Sequence, residues 1–429
     1  MKLPEKSPNW KNVIRNKREI ITQILSDQDF YKTVLEFNKK YLYWSELKYR
    51  VKDKDKREAT WGVMKLLRDG KEETCKFKKI KLKYNILSDI SRKLHYFDKQ
   101  LAGNIISQTN ALGLEEKYII SSLMEEAIAS SMIEGATTTR KIAKEMLQEK
   151  RKPKNKSEKM ILNNYNAIEA ITARKNEKLT PKFLLEIQKI VTRDTLNDKA
   201  DEGKYRDNNE IIITDELEFE KIAHMPPDYL NIPELITELC RFANSEDDEF
   251  VHPIIKGIII HFLIGYIHPF NDGNGRTART IFYWFMLSRG YWLFEYMAVS
   301  RRIIRSRKDY DLAYLYTEYD ELDLTYFIKY NISCINDALK DLFKYVQEKQ
   351  KEQQETRSII DKNLGLNRRQ IDIVRKFRQE PNKLFTIKEI KESYGVAYAT
   401  ARADLFLLTK KKVIKKENAG NEFIFMFNK

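Results

Sequence analysis

Apolar positions recur every three to four residues through most of this 429-residue chain, the spacing of amphipathic helices. It predicts helices at 118–134, about 157–174, 181–195, Pro233 to about Asn244, Pro253 to His268, 275–289, and over the apolar face Leu324–Leu342. Thr180-Pro181 offers an N-cap and a first-turn proline, and Gly290 offers a stop. Tyr41–Arg68 is predicted as two helical pieces separated by the charged run Lys52–Arg57. The lysine-rich tract 141–156, with Pro153, is predicted as loop. In the middle of the chain the period changes. Glu210-Ile211-Ile212-Ile213-Thr214 is β-branched, an acidic turn follows at 215–221, and Ile222-Ala223-His224-Met225 leads to Pro226-Pro227. That pattern predicts a hairpin within about 205–225. Ile254–Ile267 is the most apolar stretch, but Lys256 and His261 interrupt it, and it is too short to span a bilayer.

Composition adds a mainly α fold: 14 glycines and 10 prolines are few, and 42% hydrophobic with 33% charged residues suits a globular chain. The pattern divides into a helical extension at 1–100, a core at 101–345, a polar helical linker at 346–364 and a compact unit at 365–429. In the last, helices at 368–379, 387–394 and 397–410 precede two strands at 413–417 and 422–427. This order resembles a winged helix. Residues 361–429 hold 16 Lys and Arg against 8 Asp and Glu, a balance that suits phosphate-backbone contact. Net charge over the whole chain is +15, with pI near 9.3. The run Lys76–Lys81 is expected to be a solvated face, and the tract Arg301–Lys308 is either solvated or an extension of a phosphate field. Three scattered cysteines, Cys75, Cys240 and Cys334, lack metal spacing and point to a reduced, cytoplasmic setting. No apolar leader is visible at the start.

The chemistry concentrates in His268-Pro269-Phe270-Asn271-Asp272-Gly273-Asn274-Gly275-Arg276-Thr277-Ala278-Arg279. Gly273-Asn274-Gly275 delivers the chain into a helix N-terminus, where N–H groups and the dipole favour an anion. Arg276 and Arg279 are one turn apart and can fork onto phosphate oxygens. Asp272 is a hard ligand suited to Mg²⁺. His268 can take a proton from a hydroxyl near neutral pH. Phe270 is expected to plug the loop into the core. No Gly-Lys-Ser/Thr follows, so this is not a Walker P-loop.

These residues resemble the Fic family motif, His-x-Phe-x-Asp/Glu-Gly-Asn-Gly-Arg-x-x-Arg, matched at every specified position from His268 to Arg279. The resemblance implies transfer of AMP from ATP to a protein hydroxyl, with the protein itself among the substrates. It makes His268 the base, Asp272 the Mg²⁺ ligand, and Gly273, Asn274, Gly275, Arg276 and Arg279 the phosphate site. Gly275 stands where a kinase-type branch has lysine. Tyr310 is placed beside the adenine, although core packing accounts for a tyrosine stripe equally well. The family often has an asparagine near Asp320 for the base. Its absence here leaves ATP favoured by the resemblance alone. A family flap matches Ile211, Ile212 and Ile213, with the target segment adding as a strand.

A second resemblance lies upstream. Ser130 and Glu134, four apart on a mostly apolar stripe, followed by Gly135, fit the Ser/Thr-x-x-x-Glu-Gly/Asn pattern of Fic proteins that carry their own inhibitor. It implies an inhibitory helix at about 118–135 whose Glu134 pairs with Arg279. Three functions follow: a self-inhibited protein adenylyltransferase, a DNA-binding regulator with a nucleotide-sensing domain, or removal of AMP or transfer of another phosphate-linked group. A homodimer and an unnamed target protein are compatible with each.

Overall fold

The computed structural model describes residues 3–101, 116–214, 222–245, 250–361, 365–380, 383–419 and 422–428. The chain forms two compact units, Met1–Leu342 and Phe343–Lys429. The long helix Thr325–Asp361 begins in the first and ends in the second, so the stretch predicted as a linker continues a helix.

Two antiparallel helices centre the first unit. Pro253–Ile267 is apolar on every side and almost wholly buried, as expected of a helix surrounded by others. His252 caps it by accepting the Ile254 N–H. The loop 268–273 turns the chain into Asn274–Ser288, which packs against Lys156–Ala173 and Pro181–Thr192. Helix Glu116–Ile133 lies against Lys156–Ala173 and Ser300–Arg305. Among the described residues no helix is long and apolar enough to cross a membrane.

Three local expectations are corrected. Tyr41–Arg68 does hold two helices, Trp44–Leu47 and Lys54–Arg68, but the charged run at 52–57 is not all a break between them: Asp53 accepts the Lys56 N–H, and residues 54–57 form the first turn of the second. The tract 141–156 is not all loop, because Thr139 caps the helix Arg140–Gln148, which buries Ala143, Met146 and Leu147. The N-terminal extension is not purely helical. Glu73–Lys76 and Lys81–Tyr84 pair as an antiparallel hairpin, burying Leu82 and Tyr84.

That extension is held to the core through buried charge. Lys65 pairs with Asp320 at 2.9 Å. Arg68 donates to the Tyr326 hydroxyl and the Leu42 carbonyl. Tyr43 stacks on Tyr316 with centroids 4.2 Å apart.

In the second unit, helices Arg368–Gln379, Ile387–Tyr394 and Tyr398–Lys410 pack on a three-stranded sheet. The long hairpin Ile414–Ala419/Glu422–Phe427 pairs through its second strand with Phe385–Thr386. Gly395 ends the middle helix in the left-handed region at φ 61°.

Candidate active site

The loop between the two central helices is braced from all sides. Phe270 is fully buried and stacks on Tyr205, the plug expected from sequence. Asn274 spends its side chain on the loop: Nδ2 donates to the Phe270 carbonyl at 2.8 Å, and Oδ1 accepts the Phe270 N–H at 3.0 Å. Gln188, fully buried, donates to the Asp272 carbonyl and accepts the Gly203 N–H. No side chain caps helix Asn274–Ser288, so its first-turn N–H groups stay uncommitted. Gly273 takes φ 83°, and a Cβ there would lie 2.6 Å from Thr192 Cγ2. Gly273→Ala is therefore expected to lower the unfolding free energy by about 1–3 kcal/mol. Urea denaturation measures this, and an unchanged midpoint would contradict the geometry.

His268 is the C-cap of helix Pro253–Ile267 and sits in the left-handed region at φ 48°. A non-glycine residue held there is a site of strain. Nδ1 lies 3.2 Å from the Gly265 carbonyl. A carbonyl can only accept, so Nδ1 carries the hydrogen and Nε2 keeps its lone pair. Burial pushes the imidazole pKa down to about 4, with the Gly265 carbonyl and Glu134 acting against it and His224 and Arg206 adding to it. The ring is neutral at pH 7.

The two arginines have different partners. Arg276 is buried; it donates to the Val191 carbonyl at 3.0 Å and to Asp272 Oδ1 at 3.3 Å. Arg279 donates from Nε to Ser130 Oγ at 2.8 Å, and from Nη2 to the Ser130 carbonyl at 2.9 Å and Glu134 Oε1 at 3.0 Å. Its Nη1 is buried without a hydrogen-bond partner. Glu134 opens onto the cavity, its side chain 30% exposed. Desolvation raises its pKa, but Arg279, Arg276 and Arg307 together outweigh that and hold it below the usual carboxylate value. A Cβ on Gly275 would stand 2.2 Å from Glu134 Oε1, so the carboxylate lies directly over the loop.

A cavity of about 320 Å³ collects Glu134, His268, Asn274, Gly275, Arg307 and Tyr310. Asp272, Arg276 and Arg279 are not among the residues that line it. The sequence left the Arg301–Lys308 tract open. Here Arg307 faces the cavity and donates to the Ile133 carbonyl and to Asp311, whereas Arg302 pairs with Asp341. Tyr310 is buried, its hydroxyl 3.0 Å from His261 Nε2. Burial pushes His261 down to about 3, a neutral core histidine.

Among the described residues of the flap, Ile213–Thr214 pairs with Ile222–His224, while Ile211 and Ile212 lie outside the strand; 215–221 fall outside the described residues. Ile213 and Ala223 line the cavity. His224 is buried between Glu318 Oε2 at 2.6 Å and the Tyr266 carbonyl at 2.8 Å. Each ring nitrogen therefore faces a hydrogen-bond acceptor.

Arg206, which the sequence did not single out, clamps the flap to the base. Its Nε donates to the His268 carbonyl at 2.9 Å, Nη1 to the Asn208 carbonyl at 2.7 Å, and Nη2 to the Pro227 carbonyl. Its backbone N–H donates to the Pro269 carbonyl.

Residues 178–286 match the Fic/DOC family. A protein adenylyltransferase Fic from Nematostella vectensis is 26% identical over 182 residues, which is 41% of this chain and 40% of that protein. One from Drosophila melanogaster is 35% identical over 69 residues, 16% of this chain and 14% of that protein. The chain thus spans well under half of these curated relatives. A Fic family protein from Desulfovibrio desulfuricans shares the fold with TM-score 0.54 and 18% identity, over 80% of this chain and 95% of that one. Residues 134–508 of Fic-1 from C. elegans do so with TM-score 0.52 and 17% identity, over 80% and 90%. The helical hairpin around His268 and the helix Pro181–Thr192 that packs on it lie within the stretch that matches the Fic/DOC family.

Proposed function

We propose that this protein is an adenylyltransferase that moves AMP from ATP to a hydroxyl side chain of a protein, and that Glu134 holds it off. One observation carries the reading: Nε2 of a neutral His268 shares a cavity with an uncapped helix N-terminus and with the carboxylate that occupies Arg279. In the transfer, the target oxygen bonds to the α-phosphorus and its proton passes to His268 Nε2. The Pα–O–Pβ bond breaks, and pyrophosphate leaves. The low pKa keeps the base unprotonated beforehand, and an incoming polyanion raises it, so the imidazole becomes a better acceptor as the phosphates arrive.

Arg279 Nη1, unpartnered and buried, together with the first-turn N–H groups and Arg307, would hold the phosphates. Arg276 would act mainly by fixing Asp272 and the helix carrying Val191. Asp272 fits a Mg²⁺: Oδ1 serves Gly273 and Arg276, the carboxylate is half exposed, and Mg²⁺ usually takes one or two carboxylates plus phosphates. Bound there, the ion would neutralise charge building on the leaving pyrophosphate. With Glu134 on Arg279, the triphosphate is denied that grip and its α-phosphorus is misaimed. The Ile213 edge of the flap supports strand-wise docking of the target.

The test is which phosphorus stays. Glu134→Gly protein given Mg²⁺ and ATP is expected to retain an α-phosphate label on itself and not a γ label. Retention of the γ label would mean phosphoryl transfer. Retention of neither would exclude AMP transfer to itself.

The second unit supports a separate docking role. Its strand order and helices support a winged-helix reading, and helix Tyr398–Lys410 leaves Tyr398, Arg402 and Lys410 exposed, which suits nucleic-acid phosphates.

A further inference from the structure

We infer that the N-terminal segment Leu3–Asn9 is a strap completing the nucleobase end of the cavity, with Leu3 as an apolar wall for a flat heteroaromatic ring. The inference rests on the nucleotide reading above. Leu3 lines the same cavity as His268 and Glu134, although more than a hundred residues separate it from either in sequence.

Helix Arg307–Tyr319 fixes which end it covers. Arg307 donates to the Ile133 carbonyl beside Glu134, the anion end. Glu318, three turns or about 16 Å further along, meets His224 of the flap. Lys6 lies over the Tyr319 ring, 5.1 Å from its centroid, so the strap crosses the far end. There Leu3, Ile213, Ala223, Tyr314 and Leu315 supply the apolar part of the lining beside the hydrogen-bonded pair Glu318 and His224, whereas Arg307 lines the other end. A nucleotide has that polarity, with a ring that prefers apolar and aromatic neighbours and a polyanionic tail.

The strap is tied down rather than draped. Tyr43 donates its hydroxyl to the Glu5 carbonyl at 3.1 Å and stacks on Tyr316 of the same helix. Asn9 accepts the Asn12 N–H and caps helix Trp10–Asn16, whose Trp10 is buried. The N-terminal extension thereby delivers a residue into the site, a role beyond packing on the core.

The experiment compares Leu3→Asp and Leu3→Met in the Glu134→Gly protein, with matched thermal midpoints as the check on folding. ATP affinity is read by calorimetry and transfer by α-label. Leu3→Asp is expected to raise Kd and KM about 5- to 20-fold and leave kcat within about twofold, because Leu3 is remote from the phosphates. Leu3→Met, still apolar, keeps the parent Kd. An unchanged Kd in Leu3→Asp overturns the strap while leaving AMP transfer standing. If the parent binds ATP but transfers no label, AMP transfer fails, and the Kd comparison still decides the strap.

Discussion

Replacing His268 by alanine is expected to reduce AMP transfer by about 10²–10⁴, the usual worth of a general base. The geometry leaves no ready substitute. His224 is the other histidine lining the cavity, and both of its nitrogens are occupied by Glu318 and the Tyr266 carbonyl. His268 has Nε2 free because the Gly265 carbonyl holds Nδ1–H. ATP affinity should change little, since the ring is not among the groups proposed to grip phosphate. Burial holds the folded imidazole at about 4, below the ordinary value of about 6.5. The base form is thus complete above about pH 5 and is lost as pH falls through about 4. A histidine NMR titration, assigned by difference against His268→Ala, should show no protonation of this ring above about pH 5. A midpoint near 6.5 would contradict the assigned burial, and an unaltered transfer rate would reject the base.

The second large effect runs in the opposite direction. Glu134→Gly is expected to raise transfer by on the order of 100-fold, the scale set by misplacing a reacting atom by about 1 Å. Arg279 would then lose its only carboxylate contact among the described residues but keep its bonds to Ser130. Its guanidinium therefore stays oriented, and the charge freed from Glu134 becomes available to the triphosphate. Glu134→Gln tests the electrostatic part alone. The amide fills the same space over Gly275 without the charge, so it should relieve less than glycine and more than wild type.

The sequence made the central motif readable because its parts are consecutive: base, loop and arginines follow within twelve residues, and the flanking helices carry clean periodicity. Ser130 and Glu134 were readable only through resemblance, since contact with Arg279 is a matter of tertiary packing. Arg206, Gln188 and Leu3 left no local trace. Each acts through a partner at least fifteen residues away, and an arginine buried on backbone carbonyls looks in sequence like any surface arginine. The N-terminal hairpin did carry a signal: Ile80, Leu82 and Tyr84 are buried and alternate with Lys81 and Lys83, but lysine content suggested a solvated face. The helix Arg140–Gln148 was hidden in the same way, its Ala143, Met146 and Leu147 spacing masked by surrounding charge.

The central claim is a competent site restrained by one carboxylate. Its most direct measurement is the initial rate of AMP transfer from α-labelled ATP, with Mg²⁺, by wild type, Glu134→Gly, and Glu134→Gly carrying His268→Ala, side by side. The structure's arrangement of Glu134 over Arg279 and Gly275 predicts a slow wild type, a single mutant about 100-fold faster, and a double mutant returned to or below the wild-type rate. Equal rates for wild type and Glu134→Gly would contradict it.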